Sequence, residues 1–269
     1  MAANAPIKVV VTGALGKMGK EVVAAVCADR ELDMAGAVDR KAVEEYLSLP
    51  GGQGLIPISR ELEPMLLRVK PTVMVDFTTH EAVMDNVRCA LSHRVVPVVG
   101  TTGLSQQDLK EIESLCSKHD TGAIVAPNFA IGANLMIHFA RIAARFFPAA
   151  EITELHHEAK ADAPSGTAMK TAEEMAKARG TRFEEGLTSK MTLEGARGAE
   201  LQGIHIHSVR LPGLVAHQEV LFGGQGQTLL IRHDSISRES FMPGVIMAIK
   251  EAPRTKGLIY GLDRLMGLQ

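Results

Sequence analysis

Tryptophan is absent from the 269 residues, and tyrosine occurs only twice. A chain so poor in large aromatics has little with which to stack on nucleobases. Excess charge of either sign is also lacking: the formal net charge is −2, with 22% charged residues. That balance excludes the broad footprint expected for nucleic acid or an anionic membrane, and leaves room only for a local basic pocket. No apolar run approaches the length of a bilayer span. The opening MAANAPIKVVVTG has no charged region followed by an apolar core and a small-residue cleavage site. No secretory signal is read there, and a cytoplasmic location is expected. Cysteine is scarce. Cys27, Cys89 and Cys116 are far apart and lack metal-ligand spacing, so three buried free thiols are expected.

Hydrophobic sequence is plentiful, at 46% of the chain, enough for one large domain or two modest ones. In the first half, short β-branched runs alternate with longer amphipathic stretches. Strands are expected at Ile7–Val11, Leu32–Val38, Thr72–Phe77, Val95–Val99 and Gly122–Ala126, several of them apolar enough to be buried on both faces. Helices are expected from Lys17 to Cys27, from a Thr78/Glu81 capping box to His93, and from Ser105 to Lys118. Pro50–Pro57 reads as a loop. This βαβα rhythm argues for a parallel sheet covered by helices, an α/β fold. After Ala126-Pro127-Asn128-Phe129 the rhythm changes. A long apolar helix at Ala133–Phe147, a strand at Glu151–His156 and a helix at Gly166–Arg179 lead to three closely spaced strands. Those strands, Ile204–Val209, Val215–Phe222 and Thr228–His233, suggest an antiparallel or mixed sheet. A helix near Pro243–Glu251 closes the chain. The division expected is a dinucleotide-type domain at 1–130 and a second domain at 131–240.

The first strand runs into Gly13-Ala14-Leu15-Gly16-Lys17-Met18-Gly19. Glycines let the backbone turn tightly and approach a pyrophosphate, and the following helix aims N–H groups and its positive dipole end at that anion. The spacing is G-x-x-G-x-x-G rather than the commoner G-x-G-x-x-G, so position between strand and helix carries more weight than the pattern. Asp39, at the end of the second strand, can accept hydrogen bonds from adenosine ribose hydroxyls. Arg40 next to it can bind the 2′-phosphate of NADP(H). A solvated acid–base pair at a strand end would explain either residue alone.

Glu151–Ala168 reads EITELHHEAKADAPSGTA. Neighbouring strand residues point to opposite faces, so His156 and His157 do not read as joint ligands. With no Cys or third His at ligand spacing, no metal site is expected. Lys160 follows closely, and Ser165-Gly166-Thr167 opens a helix whose N-terminus suits a carboxylate or phosphate. One segment thus offers a proton-transferring imidazole, a cation and an anion cradle. Surface histidines on a strand–loop–helix turn would explain any one of these residues, but not the set beside a cofactor loop.

These stretches resemble the dihydrodipicolinate reductase family, also named 4-hydroxy-tetrahydrodipicolinate reductases. The ELHHEAKADAPSGTA segment is similar to that family's signature. GALGKMG, Val75-Asp76-Phe77-Thr78, Gly100-Thr101-Thr102-Gly103, Ala126-Pro127-Asn128-Phe129, His207-Ser208-Val209-Arg210 and the run Gly213–Gly224 agree with it in order. The resemblance spans roughly Lys8 to Leu268. It implies a Rossmann-type dinucleotide-binding domain formed by 1–130 and the C-terminal segment 241–269. Inserted in it is a mixed α+β domain, 131–240, for substrate and oligomerisation, with hinges near Phe129 and Phe241. It implies NAD(P)H-dependent reduction of 4-hydroxy-tetrahydrodipicolinate, a small cyclic dicarboxylate, in lysine and diaminopimelate biosynthesis, by a homotetramer. It implies that Gly13, Ala14, Leu15, Gly16, Lys17, Met18, Asp39, Arg40, Gly100, Thr101, Thr102, Ala126, Pro127, Asn128 and Phe129 line the cofactor. His156 then matches the proton donor, Lys160 the second catalytic residue, and His157, Gly166 and Thr167 the substrate-carboxylate positions. Some relatives carry Glu where Asp39 stands, which leaves cofactor preference open. The local charge favours NADPH, with NADH also used. Two other readings stay open: a different two-domain amino-acid dehydrogenase acting on aspartate or a semialdehyde, and a non-catalytic dinucleotide sensor.

Overall fold

The computed structural model describes residues 5–186 and 188–268. They form two compact units. One holds the described residues through Phe129 and those from Phe241 onward, and the other runs from Ala130 to Ser240. Among the described residues no helix is long and apolar enough to cross a membrane.

The first unit alternates β1 (Ile7–Thr12), α1 (Lys17–Ala28), β2 (Leu32–Val38), β3 (Tyr46–Ser48), β4 (Leu55–Ser59), α2 (Leu62–Val69), β5 (Val73–Asp76), α3 (His80–Ser92), β6 (Val96–Val99), α4 (Gln106–His119) and β7 (Gly122–Val125). Its strands form an eight-stranded sheet in the order β13-β7-β6-β5-β1-β2-β4-β3, where β13 is Gly257–Tyr260. All pairs are parallel except β3 with β4. β5, β6 and β7 are buried along their whole length. That is why they read as apolar runs, broken in β5 only by Asp76 at its end, rather than as alternating ones. Leu62, Met65 and Leu66 of α2 pack with Val10, Val38 and Met74, while Val83 and Val87 of α3 pack with Ile112 and Cys116 of α4. The order reverses at β1, which lies between β2 and β5. Open α/β sheets place ligands beyond the carboxyl ends of the strands at such a point.

The second unit holds α5 (Ile131–Ala143), β8 (Ala149–His156), α6 (Gly166–Arg179), β9 (Ala199–Leu201), β10 (Ile204–Arg210), β11 (Ala216–Gly224) and β12 (Gln227–Ser235). Its sheet runs β12-β11-β8-β10-β9 and is mixed: β8 and β10 are parallel, the other pairs antiparallel. Met136 and Ala140 of α5 and Ala168, Ala172 and Met175 of α6 cover one face, against Ile152, Ile206, Val220 and Phe222. On the other face Leu221 and Leu230 lie opposite each other and stay exposed. α7 (Met242–Glu251) and α8 (Leu262–Leu265) lie on either side of β13 in the chain.

The structure departs from the sequence reading in several places. α3 begins at His80 with Thr79 at its N-cap, not Thr78. The Thr78 hydroxyl donates instead to Asp76 Oδ1 at 2.8 Å, because a buried carboxylate is the stronger acceptor. The Pro50–Pro57 stretch is a turn followed by a strand: Gly51, Gly52 and Gly54 hold positive φ and β4 starts at Leu55. α2 went unread because Pro64 interrupts its pattern, although Pro is tolerated in a first helical turn. β8 ends at His156, so His157 is the first residue of the loop rather than a strand neighbour. Of the thiols only Cys116 is buried, with Cys27 and Cys89 half-buried.

Candidate active site

In the first unit the β1–α1 turn is built so that the backbone comes close to whatever lies beyond the sheet edge. Gly13 has φ +73°, and a Cβ there would sit 2.4 Å from the Phe77 carbonyl oxygen, so no other residue fits. The Gly13 and Ala14 N–H groups donate to Val38 O, fixing the turn to the end of β2. α1 starts after Gly16 with no side-chain cap and no acidic residue in its first turn. Its first-turn N–H groups therefore lack acceptors within the helix and its positive end is not neutralised.

Next to this turn lies a cavity of about 290 Å³, lined among others by Thr12, Gly13, Gly16, Asp39, Arg40 and Arg60. Lys41, Phe77, Thr78 and Asn86 also reach it. Both Asp39 carboxylate oxygens are already engaged: Oδ2 accepts the Leu15 N–H and Oδ1 the Lys41 N–H, each at 2.9 Å. Asp39 thus ties the glycine turn to the end of β2, and a ribose hydroxyl would share its remaining lone pairs. Arg60 is a cation that the sequence reading missed. Its Nε donates to Ala42 O at 2.6 Å, which commits one of five donors.

Beneath the cavity Asp76 is fully buried. Its Oδ2 accepts from Thr12 Oγ1 and Asn86 Nδ2, both at 2.8 Å. Its Oδ1 accepts from Thr101 Oγ1 at 2.7 Å, Thr78 Oγ1 at 2.8 Å and Thr78 N–H at 3.1 Å. One carboxylate thus joins the ends of β1 and β5, the loop after β6, and α3. Of the residues expected around a cofactor, Gly13, Gly16, Asp39 and Arg40 line the cavity; Ala14 and Leu15 belong to the same turn, and Lys17 and Met18 open α1, without lining it. Gly100 to Thr102 and Ala126 to Phe129 follow the carboxyl ends of β6 and β7 on the same sheet edge, also outside the cavity lining. Thr101 and Phe129 are buried, and the Phe129 ring packs at 6.0 Å from that of Phe77.

In the second unit the end of β8, the loop after it and the start of α6 bring the other expected residues together. Ala150, Ile152 and Glu154 occupy the buried face of β8, and His156 continues it. Glu154, fully buried where an apolar residue is the default, accepts hydrogen bonds from both ends of the Arg210 guanidinium, at 2.7 and 2.9 Å. It is also bonded to His156 Nδ1 and accepts the Ser165 N–H at 3.3 Å. Burial raises the Glu154 pKa, but the bonds from Arg210, Ser208 and His156 outweigh it and hold the carboxyl below its usual range. For His156, burial lowers the pKa most, Glu154 raises it, and Lys160 and Arg210 lower it; the result lies below the ordinary value of 6.5. Lys160 Nζ pairs with Asp162 Oδ1 at 2.6 Å.

Ser165 caps α6, its Oγ accepting the Ala168 N–H at 3.2 Å. Gly166 and Thr167 open that helix. A Cβ on Gly166 would meet nothing within 4 Å, and its φ is not positive. Neither packing nor backbone geometry asks for glycine there, whereas close approach of a ligand to the helix end would. His157 is exposed in the loop. Glu154, Asp162 and Arg210 are the residues here that sequence reasoning missed. The strand period could have found Glu154, which shares a face with His156; Arg210 needs the β8–β10 register.

Known proteins match the chain along nearly its whole length. The family profile described as "Dihydrodipicolinate reductase, N-terminus" matches residues 7–129, and "Dihydrodipicolinate reductase, C-terminus" matches residues 132–266. The 4-hydroxy-tetrahydrodipicolinate reductase of Dehalococcoides mccartyi is 53% identical over 263 residues, 98% of this chain and 99% of that protein. That of Moorella thermoacetica is 51% identical over 265 residues, 97% of this chain and 98% of that protein. Among solved structures, the dipicolinate-bound dihydrodipicolinate reductase from Paenisporosarcina sp. TG-14 superposes with a TM-score of 0.86. It is 44% identical and covers 96% of this chain and 99% of its own.

Proposed function

The chain belongs to the dihydrodipicolinate reductase family, and from that premise we propose how its own residues carry out the reaction. It is an NAD(P)H-dependent oxidoreductase that reduces 4-hydroxy-tetrahydrodipicolinate in lysine and diaminopimelate biosynthesis. In sum, water leaves the substrate, and a hydride and a proton are added to give tetrahydrodipicolinate. Residues 1–130 with 241–269 are assigned to the dinucleotide, and residues 131–240 to substrate and assembly.

The first unit's residues fit a nicotinamide dinucleotide. The cavity lies at the strand-order reversal, the α1 end is uncapped, and Gly13 leaves no room for a side chain. The Gly13–Met18 turn would hold the pyrophosphate, Asp39 the ribose, and Gly100 to Thr102 with Ala126 to Phe129 the nicotinamide end. When bound, the cofactor supplies the hydride. Arg40, Lys41 and Arg60 line the cavity against the single acid Asp39, whose charge already serves two N–H groups. That balance favours the 2′-phosphate, so NADPH is preferred over NADH.

The observation that carries the assignment is the gathering of His156, Lys160 and the α6 N-terminus in one strand–loop–helix segment of a chain from this family. The related dipicolinate-bound structure supports a cyclic dicarboxylate as the ligand. Lys160, His157 and the N–H groups of Gly166 and Thr167 would take its carboxylates, with Lys160 exchanging Asp162 for a substrate oxygen. Lys160 would also assist departure of the hydroxyl. His156 would deliver the proton that balances the hydride. Its low pKa leaves it mostly neutral near pH 7; a bound dianion beside the ring favours uptake of the proton to be transferred. The exposed pair Leu221 and Leu230 on the open sheet face supports assembly through that face, as a homotetramer. Free cysteines, with no disulfide among the described residues, are consistent with a cytoplasmic location.

The test is to give the purified chain NADPH and the freshly formed product of dihydrodipicolinate synthase. Loss of reduced-nicotinamide absorbance that requires both is expected. No oxidation of either nicotinamide would refute the assignment.

A further inference from the structure

We propose that Glu154 and Arg210 are positioning residues for His156: Glu154 accepts the hydrogen bond from Nδ1–H, Arg210 fixes Glu154, and Nε2 is the ring nitrogen that serves substrate. The proposal rests on the role given to His156 above and adds how the ring is oriented and its proton affinity set.

Glu154 and His156 stand two residues apart on β8 and share its face. In the register of β8 with β10, Ser208 lies opposite Glu154 and Arg210 opposite His156. Arg210 reaches diagonally to Glu154 and binds both carboxylate oxygens as a fork. Its Nη1 also donates to Val209 O, and its Nη2 to Asp162 O, each at 2.7 Å. The same guanidinium therefore anchors the loop that carries Lys160. A buried carboxylate is tolerated only when paired and hydrogen-bonded, and Arg210 with the Ser165 N–H meets that need. A carboxylate bonded to Nδ1 accepts and cannot donate. It therefore selects the tautomer whose Nδ1 carries hydrogen and leaves Nε2 to gain or lose the reacting proton.

The charges around the ring give this arrangement a signature that packing alone does not. Glu154 on β8 is the anion facing His156. Arg210 on β10 and Lys160 in the loop are the cations, with Asp162 paired to Lys160. β11 places uncharged Ala216 opposite His156, and α6 presents its N-terminal end. Glu154→Gln removes the anion and leaves the cations, so the His156 proton is held less tightly. Arg210→Gln leaves Glu154 uncompensated, so the proton is held more tightly. The two variants should move the titration of His156 in opposite directions.

The experiment is a pH titration of the 15N-histidine-labelled full chain by two-dimensional NMR without cofactor or substrate, with His156→Gln to assign the resonances. The wild type should show the Nδ1-protonated tautomer. Glu154→Gln should lower the His156 midpoint and Arg210→Gln should raise it, each by about 1 pH unit. Glu154→Asp, which keeps the charge, should leave the midpoint near that of the wild type; if Glu154→Gln does not fold, the rise in Arg210→Gln against an unmoved Glu154→Asp carries the test. An Nε2-protonated tautomer in the wild type, or midpoints that move together or not at all, would overturn the proposal. Near-normal turnover of His156→Gln beside the expected resonances would instead overturn the functional assignment of His156 and spare the positioning. Lost turnover with unmoved midpoints would do the reverse.

Discussion

Asp76→Ala and Asp76→Asn separate two ways of disturbing the floor of the cofactor cavity. Alanine removes the acceptor of five hydrogen bonds at once. Two of the donors have somewhere else to turn. The Thr12 hydroxyl also reaches Val75 O at 3.3 Å, and the Thr78 N–H also reaches Thr101 Oγ1 at 2.9 Å. The Asn86 amide and the Thr78 and Thr101 hydroxyls lose their acceptor. A buried donor left unsatisfied costs about 1–3 kcal/mol; Thr101 is buried while Thr78 and Asn86 are half-buried at the cavity, so the total comes to about 2–4 kcal/mol. Asparagine behaves differently. Its oxygen can stay where Oδ1 is, facing the Thr78 N–H, which cannot reverse. Its amide then faces Thr12 and Asn86, and both can reverse, a hydroxyl by rotation and an amide by flipping. That substitution should cost only about 1 kcal/mol. In thermal unfolding followed by circular dichroism, Asp76→Ala should lose about 10 °C and Asp76→Asn about 3 °C, at about 2–4 °C per kcal/mol. Because Thr12, Thr78 and Asn86 also line the cavity, the alanine variant should weaken NADPH and NADH alike. Equal melting of the two variants, or an alanine loss below about 2 °C, would refute this reasoning.

Arg40→Ala and Arg60→Ala should each weaken NADPH about tenfold, equivalent to about 1.4 kcal/mol, and change NADH little, with the NADPH preference shrinking as salt rises. Equal losses for both cofactors in a fluorescence titration would show that neither guanidinium reads the 2′-phosphate. The protonated form of His156 is the acid, and its pKa lies below 6.5 before substrate binds, so kcat/KM should fall as pH rises through a midpoint under that value. Because bound dianion favours protonation, the matching fall in kcat should lie at higher pH; a kcat limb at lower pH than the kcat/KM limb would contradict the proton role. Leu230→Glu should break up the assembly in analytical ultracentrifugation, and an unchanged mass would exclude the open sheet face as its interface.

The elements that announce themselves in the sequence are those whose burial is one-sided or total. β6 and β7 are apolar from end to end and β5 is apolar up to Asp76, and α6, bounded by a Ser165 cap and Gly180, occupies the range read for it. Ser105 was equally plain as the cap of α4, though the capping box it forms with Asp108 was not read. Elements held by tertiary contact were not. β13 has four residues, no strong pattern, and a place in the sheet that comes from pairing with β7. β3 and β4 flank a glycine-rich turn that masked them. In the candidate site the chemistry-bearing side chains could be read from EITELHHEAKADAPSGTA, because histidine, lysine and a helix start stand close in sequence. Their supports could not. Arg210 and Arg60 reach their places through strand register and chain folding across long sequence separations. Asp76 stood in a motif but showed its purpose only once Thr12, Asn86 and Thr101 converged on it.

The central claim is that His156 supplies the proton that accompanies the hydride. The most direct measurement is steady-state turnover of His156→Gln on freshly made substrate, with its NADPH dissociation constant measured in parallel. Turnover lowered by about a hundredfold or more with NADPH binding near wild type is the predicted result. Turnover near wild type across the pH range would contradict the account.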